Sequence, residues 1–154
     1  MTRWLDDREQ RAWRDYLAMQ SRLGAELHRR LQADAGLSLA DFDVLVALTD
    51  RPDERARVLE LAGALQWEKS RLSHHLARMR RRGLITREEC DDDGRGAFVA
   101  LTSEGRTAIE RAAPDHVESV RELLFDALSD EDVDALARIT GAVLSRLAPG
   151  AVSR

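Results

Sequence analysis

The chain has 154 residues, long enough for one compact domain or a small domain with an oligomerisation element. Hydrophobic residues make up 44% and charged residues 34%, which supports a core beneath a heavily solvated helical surface. No apolar run approaches the roughly 18–20 residues that cross a bilayer, and the start, Met1-Thr2-Arg3-Trp4-Leu5-Asp6-Asp7, turns acidic too early for a signal peptide. A single cysteine, Cys90, excludes an internal disulfide and a cysteine-cluster zinc site. The expectation is a soluble cytoplasmic protein with no membrane partner and no cofactor.

The first predicted element is a long helix over residues 8–34. Trp13, Tyr16, Leu17, Leu23, Leu27 and Leu31 recur at helical steps, and Gly36 is a stop signal. Ser38 and Asp41 form a capping-box variant that opens a second helix to about Asp50. Arg51-Pro52-Asp53-Glu54 reads as a turn, and Val58 to Leu65 as a short third helix. A fourth helix runs from Lys69 to Arg82, with Leu72, Leu76 and Met79 on one face and Ser70, Arg71, Ser73, His74, Ala77 and Arg78 on the other; Gly83 ends it.

The period then changes. Leu84 to Cys90 and Ala97 to Leu101 read as paired strands around the loop Asp91-Asp92-Asp93-Gly94-Arg95-Gly96. Thr102 caps the next helix, predicted to about residue 127, in which Pro114 allows a kink or break. Ser129 caps a last helix bearing Val133, Leu136, Ile139, Val143, Leu144 and Leu147.

Net charge is −4, which alone argues against a nucleic-acid partner. Its distribution argues for one. From Lys69 to Arg87 lie seven cations and no acid, so this block carries +7 and the rest of the chain −11. A short helix, a turn and a second helix with a polar outer face make a helix-turn-helix, whose second helix enters the major groove of double-stranded DNA. Ser70, Arg71, Ser73, His74 and Arg78 are the candidate base-reading residues, because arginine can donate twice to guanine and serine and histidine are permissive. Lys69, Arg80, Arg81 and Arg82 suit phosphates. Arg95, between two glycines at the ribbon tip, suits a narrow minor groove, though it is equally an ordinary turn residue.

The ordered set Leu61-Ala62, Ser70-Arg71-Leu72-Ser73-His74-His75-Leu76, Arg82-Gly83-Leu84-Ile85, Asp93-Gly94-Arg95, Val99-Ala100-Leu101-Thr102 and Gly105 resembles the MarR family of bacterial transcription regulators. The resemblance runs over about residues 13–147. Gln66 departs from it, since a glycine commonly sits in that turn, and His74 stands where Arg or Lys is frequent. The fold class implied is mainly α with a small β-hairpin wing: a winged helix-turn-helix (38–102) flanked by N-terminal (1–37) and C-terminal (103–154) dimerisation helices. The resemblance also implies a homodimer and a pocket for a small lipophilic or phenolic effector.

The length of the first helix points independently to a dimer. A helix of roughly 40 Å cannot bury its stripe on a 65-residue module alone, so a second copy is the natural partner. Trp13 and Tyr16 share a face and are candidates either for a ligand pocket or for interface core. His74 and His75 point about 100° apart on a helix, and no metal site is expected. His75 is expected to face the first helix of the motif or the core. Around Cys90, the acids Glu89, Asp91 and Asp92 oppose thiolate formation and favour an inert thiol. No catalytic motif is present, so no enzyme activity is expected.

The reading that follows is a ligand-responsive homodimeric repressor on a pseudo-palindromic operator with half-sites about one helical turn apart. Its rivals are a ligand-binding or protein-interaction module without sequence-specific DNA binding, a non-specific architectural DNA binder, and an oxidant sensor acting through Cys90.

Overall fold

A computed structural model describes residues 1–89 and 96–149. The described chain divides into two units, residues 1–116 and residues 117 onward.

In the first unit, α1 (Asp7–Ala35) starts at a reciprocal capping box: the Glu9 N–H donates to Asp6 Oδ1 (2.7 Å) and the Asp6 N–H to Glu9 Oε2 (2.9 Å). It stops where Gly36 takes a left-handed conformation (φ 65°) and donates its N–H to the Gln32 carbonyl. The predicted box at Ser38 and Asp41 opens α2 (Leu39–Thr49), whose Phe42, Val44, Leu45 and Leu48 are buried.

A short strand, β1 (Arg55–Arg57), leads into α3 (Val58–Leu65) and α4 (Lys69–Arg81). Then come β2 (Ile85–Glu88) and β3 (Phe98–Leu101), which pair antiparallel with Ile85 opposite Leu101 and Glu88 opposite Phe98. The expected hairpin is thus present, but the sheet has three strands. β1 lies on the other side of β3, with Arg55 opposite Ala100 and Arg57 opposite Phe98. The predicted loop, with Cys90 and Arg95, lies outside the described residues.

One cluster of buried side chains joins these elements. Leu45 and Leu48 of α2, Leu61 of α3, Leu72, Leu76 and Met79 of α4, Ile85 of β2 and Val99 of β3 all belong to it. The apolar face predicted for α4 is therefore the face that anchors it. α5 (Ser103–Leu123) starts where the Gly105 N–H donates to Thr102 Oγ1 (2.9 Å), the predicted cap. A Cβ on Gly105 would overlap the Leu84 carbonyl oxygen, so only glycine lets this turn lie against the chain leaving α4. Pro114 sits within α5 without ending it.

In the second unit, α5 ends at Leu123, short of the predicted 127, and a 3-10 turn follows at Phe125–Ala127. α6 (Asp130–Leu147) opens on a capping box between Ser129 and Asp132. Its Ile139, Val143, Leu144 and Leu147 are exposed, as are Trp13, Tyr16 and Leu17 of α1 in the first unit. No described helix is long and apolar enough to cross a membrane.

Candidate nucleic-acid interface

The sequence makes α4 two-sided, and the core fixes which side faces out. With Leu72, His75, Leu76 and Met79 buried, Lys69, Ser70, Arg71, His74, Arg78 and Arg81 are exposed and Ser73 is half-buried. Six of the candidate residues thus stand on one outer surface of one helix. Its first turn has no acid and its last turn carries Arg78, Arg80 and Arg81.

The turn between α3 and α4 forms around Gln66, which adopts the left-handed conformation (φ 56°) in which a glycine would be at ease. Its side chain donates from Nε2 to the Gly63 carbonyl at 2.7 Å, a local bond that helps hold the strained residue. Trp67 follows and packs partly against the core. Its ring lies under the Arg71 guanidinium at 4.4 Å and meets the His75 ring edge-on at 5.5 Å.

Arg78 and Arg82 donate hydrogen bonds within the fold. Arg78 Nη2 donates to His75 Nδ1 at 3.1 Å. Arg82, read from the sequence as a phosphate contact, instead turns back: it donates to Asp41 Oδ2 and to the Gly36 carbonyl, each at 2.8 Å. A buried carboxylate at the start of α2 offers this guanidinium a charged partner, so its role is to tie α4 to the α1–α2 junction.

Asp41 also accepts the Ser38 N–H at 2.9 Å, and its Oδ1 lies 2.9 Å from His75 Nε2, a close contact without the alignment of a hydrogen bond. Burial alone would push the Asp41 carboxyl up, but the Ser38 amide, the Arg82 guanidinium and the Ser38 hydroxyl outweigh it and hold it below the ordinary carboxylate range. Burial pushes the His75 imidazole down; Asp41 opposes that and Arg78 adds to it, leaving the ring neutral more readily than an exposed histidine.

More charge lies on the sheet. Arg55 and Arg57 of β1 place their guanidiniums over the Phe98 ring at 4.3 and 4.5 Å. Arg55 also reaches Glu88 at 3.1 Å, and Arg87 lies 3.3 Å from Glu89. The cations of β1 are absent from the sequence-based site because nothing in three residues marks a strand.

A depression of about 580 Å³ lies elsewhere in the first unit, lined by residues that include Phe42, Asp43, Val46, Leu65 and His116. Phe42 and His116 rings are 4.3 Å apart. Burial raises the Asp43 carboxyl and lowers the His116 imidazole, each tempered by the other's charge. Trp13 and Tyr16 do not line this depression; their rings stack on α1 at 5.9 Å. Among the described residues, no group of three His, Cys, Asp or Glu side chains is placed to hold a metal ion.

This arrangement recurs in known proteins. The chain is 40% identical to AbsC, a MarR family transcriptional regulator from Streptomyces coelicolor, with a TM-score of 0.87 over 95% of this chain and 98% of that one. It is also 40% identical to Sco3205, a MarR family regulator from the same organism solved in complex with DNA, with a TM-score of 0.91 over 97% of this chain and 94% of that one. This chain belongs to the MarR family.

The MarR family model itself matches residues 35–96, the stretch from the α1–α2 junction through α4 to the wing. Similarity extends to the transcriptional repressor YetL of Bacillus subtilis, 30% identical over 115 residues, or 75% of this chain and 68% of that protein. In a MarR family protein, α3 and α4 are the helix-turn-helix and β2 and β3 the wing. The fold expected from the resemblance is the fold found, with β1 added to the sheet.

Proposed function

We propose that this MarR family protein is a ligand-responsive repressor that acts in the cytoplasm as a homodimer on a pseudo-palindromic operator. The single observation that carries the reading is the outer face of α4, which sets Lys69, Ser70, Arg71, His74, Arg78 and Arg81 in solvent over a back anchored in the core. In each copy α4 lies in a major groove, where Arg71, His74, Arg78, Ser70 and Ser73 meet base edges while Lys69 and Arg81 meet phosphates. Arg95, outside the described residues, reaches the adjacent minor groove.

The dimer forms through the flanking segments, 1–37 and 103–154, around the module 38–102. The support is apolar surface that one chain leaves bare: Trp13, Tyr16 and Leu17 on α1, and Ile139, Val143, Leu144 and Leu147 on α6. A small lipophilic or phenolic effector, bound at a site that includes Trp13 and Tyr16, favours a dimer geometry whose two α4 helices no longer match successive turns of DNA.

Selection of bound duplexes from random DNA tests this directly. A two-fold related site with half-sites about 10 bp apart is expected. Enrichment of no sequence, or binding indifferent to salt, would remove operator recognition.

A further inference from the structure

Two arginines proposed to read bases, Arg71 and Arg78, stand seven residues apart on α4, and His75 lies between them on its buried side. Its Nδ1 accepts from Arg78 Nη2 at 3.1 Å. Its ring edge meets Trp67 at 5.5 Å, and Trp67 in turn carries the Arg71 guanidinium at 4.4 Å. Behind the ring, Nε2 sits 2.9 Å from Asp41 Oδ1, and the other Asp41 oxygen is taken up by Ser38 and Arg82.

We propose that His75 is a positioning residue of the DNA interface, which presents Nδ1 to Arg78 from a ring held between Trp67 and Asp41. The inference rests on the reading that Arg78 contacts bases, and names the buried group on which its geometry depends.

A long arginine at a helix surface loses rotamer freedom when it docks in a fixed geometry. A bond already made in the free protein removes part of that loss. An exposed arginine gains little from an exposed partner, but His75 is buried and cannot turn away: Trp67, Asp41 and Arg78 bound it on separate sides. Arginine can only donate, so the ring that accepts at Nδ1 carries its proton on Nε2, where the charge of the Asp41 carboxylate 2.9 Å away favours it.

The test uses the full-length protein, an operator duplex taken from random-site selection, and an unrelated duplex of equal length. His75→Leu fills the buried space but removes the acceptor. It is expected to lower the preference for operator over unrelated DNA on the order of tenfold, with binding to unrelated DNA unchanged. His75→Asn, whose side-chain oxygen can replace Nδ1, is expected to recover most of that preference. In an Arg78→Ala background, His75→Leu is expected to change the preference by less than about twofold, since its effect passes largely through Arg78.

An additive effect of His75→Leu in that background, or no loss of preference in the single variant, overturns the proposal. If Arg78→Ala alone leaves operator preference intact, Arg78 does not read bases, and the proposal falls with that part of the functional reading. Should His75→Leu fail to fold, the His75→Asn variant decides: a loss of preference equal to that of Arg78→Ala overturns the role of the Nδ1 acceptor, and retention supports it.

Discussion

The Asp41 carboxylate and the Arg82 guanidinium, 41 residues apart in sequence, meet at 2.8 Å and join the first turn of α2 to the end of α4. Asp41 is buried while Arg82 remains about half exposed. The pair therefore acts chiefly by satisfying a buried acceptor, and its Coulomb energy is partly screened. The same carboxylate completes the α2 capping box. Asp41→Ala removes both functions at once and leaves the Ser38 N–H without its partner. A loss of about 1–3 kcal/mol in urea unfolding is expected. A variant as stable as the parent would show that neither the cap nor the tie contributes.

Acidification acts through several groups with separate signs. His75 and His116 both have imidazoles lowered by burial. The unfolded chain therefore takes up these protons first. Their contribution to stability is complete above the ordinary histidine value of about 6.5 and is lost as pH falls through the lower folded values. Asp43, raised by burial, works oppositely: its ionisation disfavours the fold, so the fold gains as this carboxyl protonates. Asp41, held low, loses its contribution only further down, below about 3.9. Thermal midpoints should fall as pH is lowered from 7 towards 5, and His116→Phe should flatten part of that slope. A midpoint independent of pH in this window contradicts the lowering of the buried His75 and half-buried His116 imidazoles.

What could be read from the residues alone was local. Leu72, Leu76 and Met79 lie at helical spacing and did define the buried face of α4. Ser38 with Asp41, Thr102 and Ser129 marked helix starts, because a cap is made within a few residues. β1 was not legible: Arg55-Ala56-Arg57 has one apolar residue, and it is a strand only because β3 pairs with it. The same reason hid the task of Arg82, whose partners are far away in sequence. The sequence turns His75 toward the first helix of the motif or the core, and it is buried, but its place between Arg78, Trp67 and Asp41 depends on α2 and α4 being packed together.

Gln66 offers a test of backbone strain. A residue with a Cβ in the left-handed region costs roughly 1 kcal/mol relative to glycine, and the Gln66 side chain recovers some of that through its bond to the Gly63 carbonyl. Gln66→Gly is therefore expected to be neutral or to stabilise by up to about 1 kcal/mol. Gln66→Val, β-branched and without the bond, should destabilise by about 1–3 kcal/mol. The ordering of the two variants in chemical denaturation checks the turn, and a glycine variant less stable than the valine one contradicts it.

Arg71 and Arg81 separate reading from positioning on the same helix. Both are exposed, but Arg71 lies over Trp67 near the start of α4, and Arg81 is in its last turn. Arg71 shares a helical face with Arg78, whereas Arg81 is turned roughly 80° from Arg71, so the first is placed toward base edges and the second toward the backbone. Arg71→Ala should lower operator affinity by about 1–3 kcal/mol and relax selectivity at the base it meets, with only a small stability loss from the lost stack. Arg81→Ala should weaken operator and random DNA alike and reduce the slope of log affinity against log salt by about one. Titrations of both variants at several salt concentrations distinguish the two outcomes. An Arg71→Ala protein that still prefers operator as strongly as the parent would mean that the proposed base contact at the start of α4 is wrong.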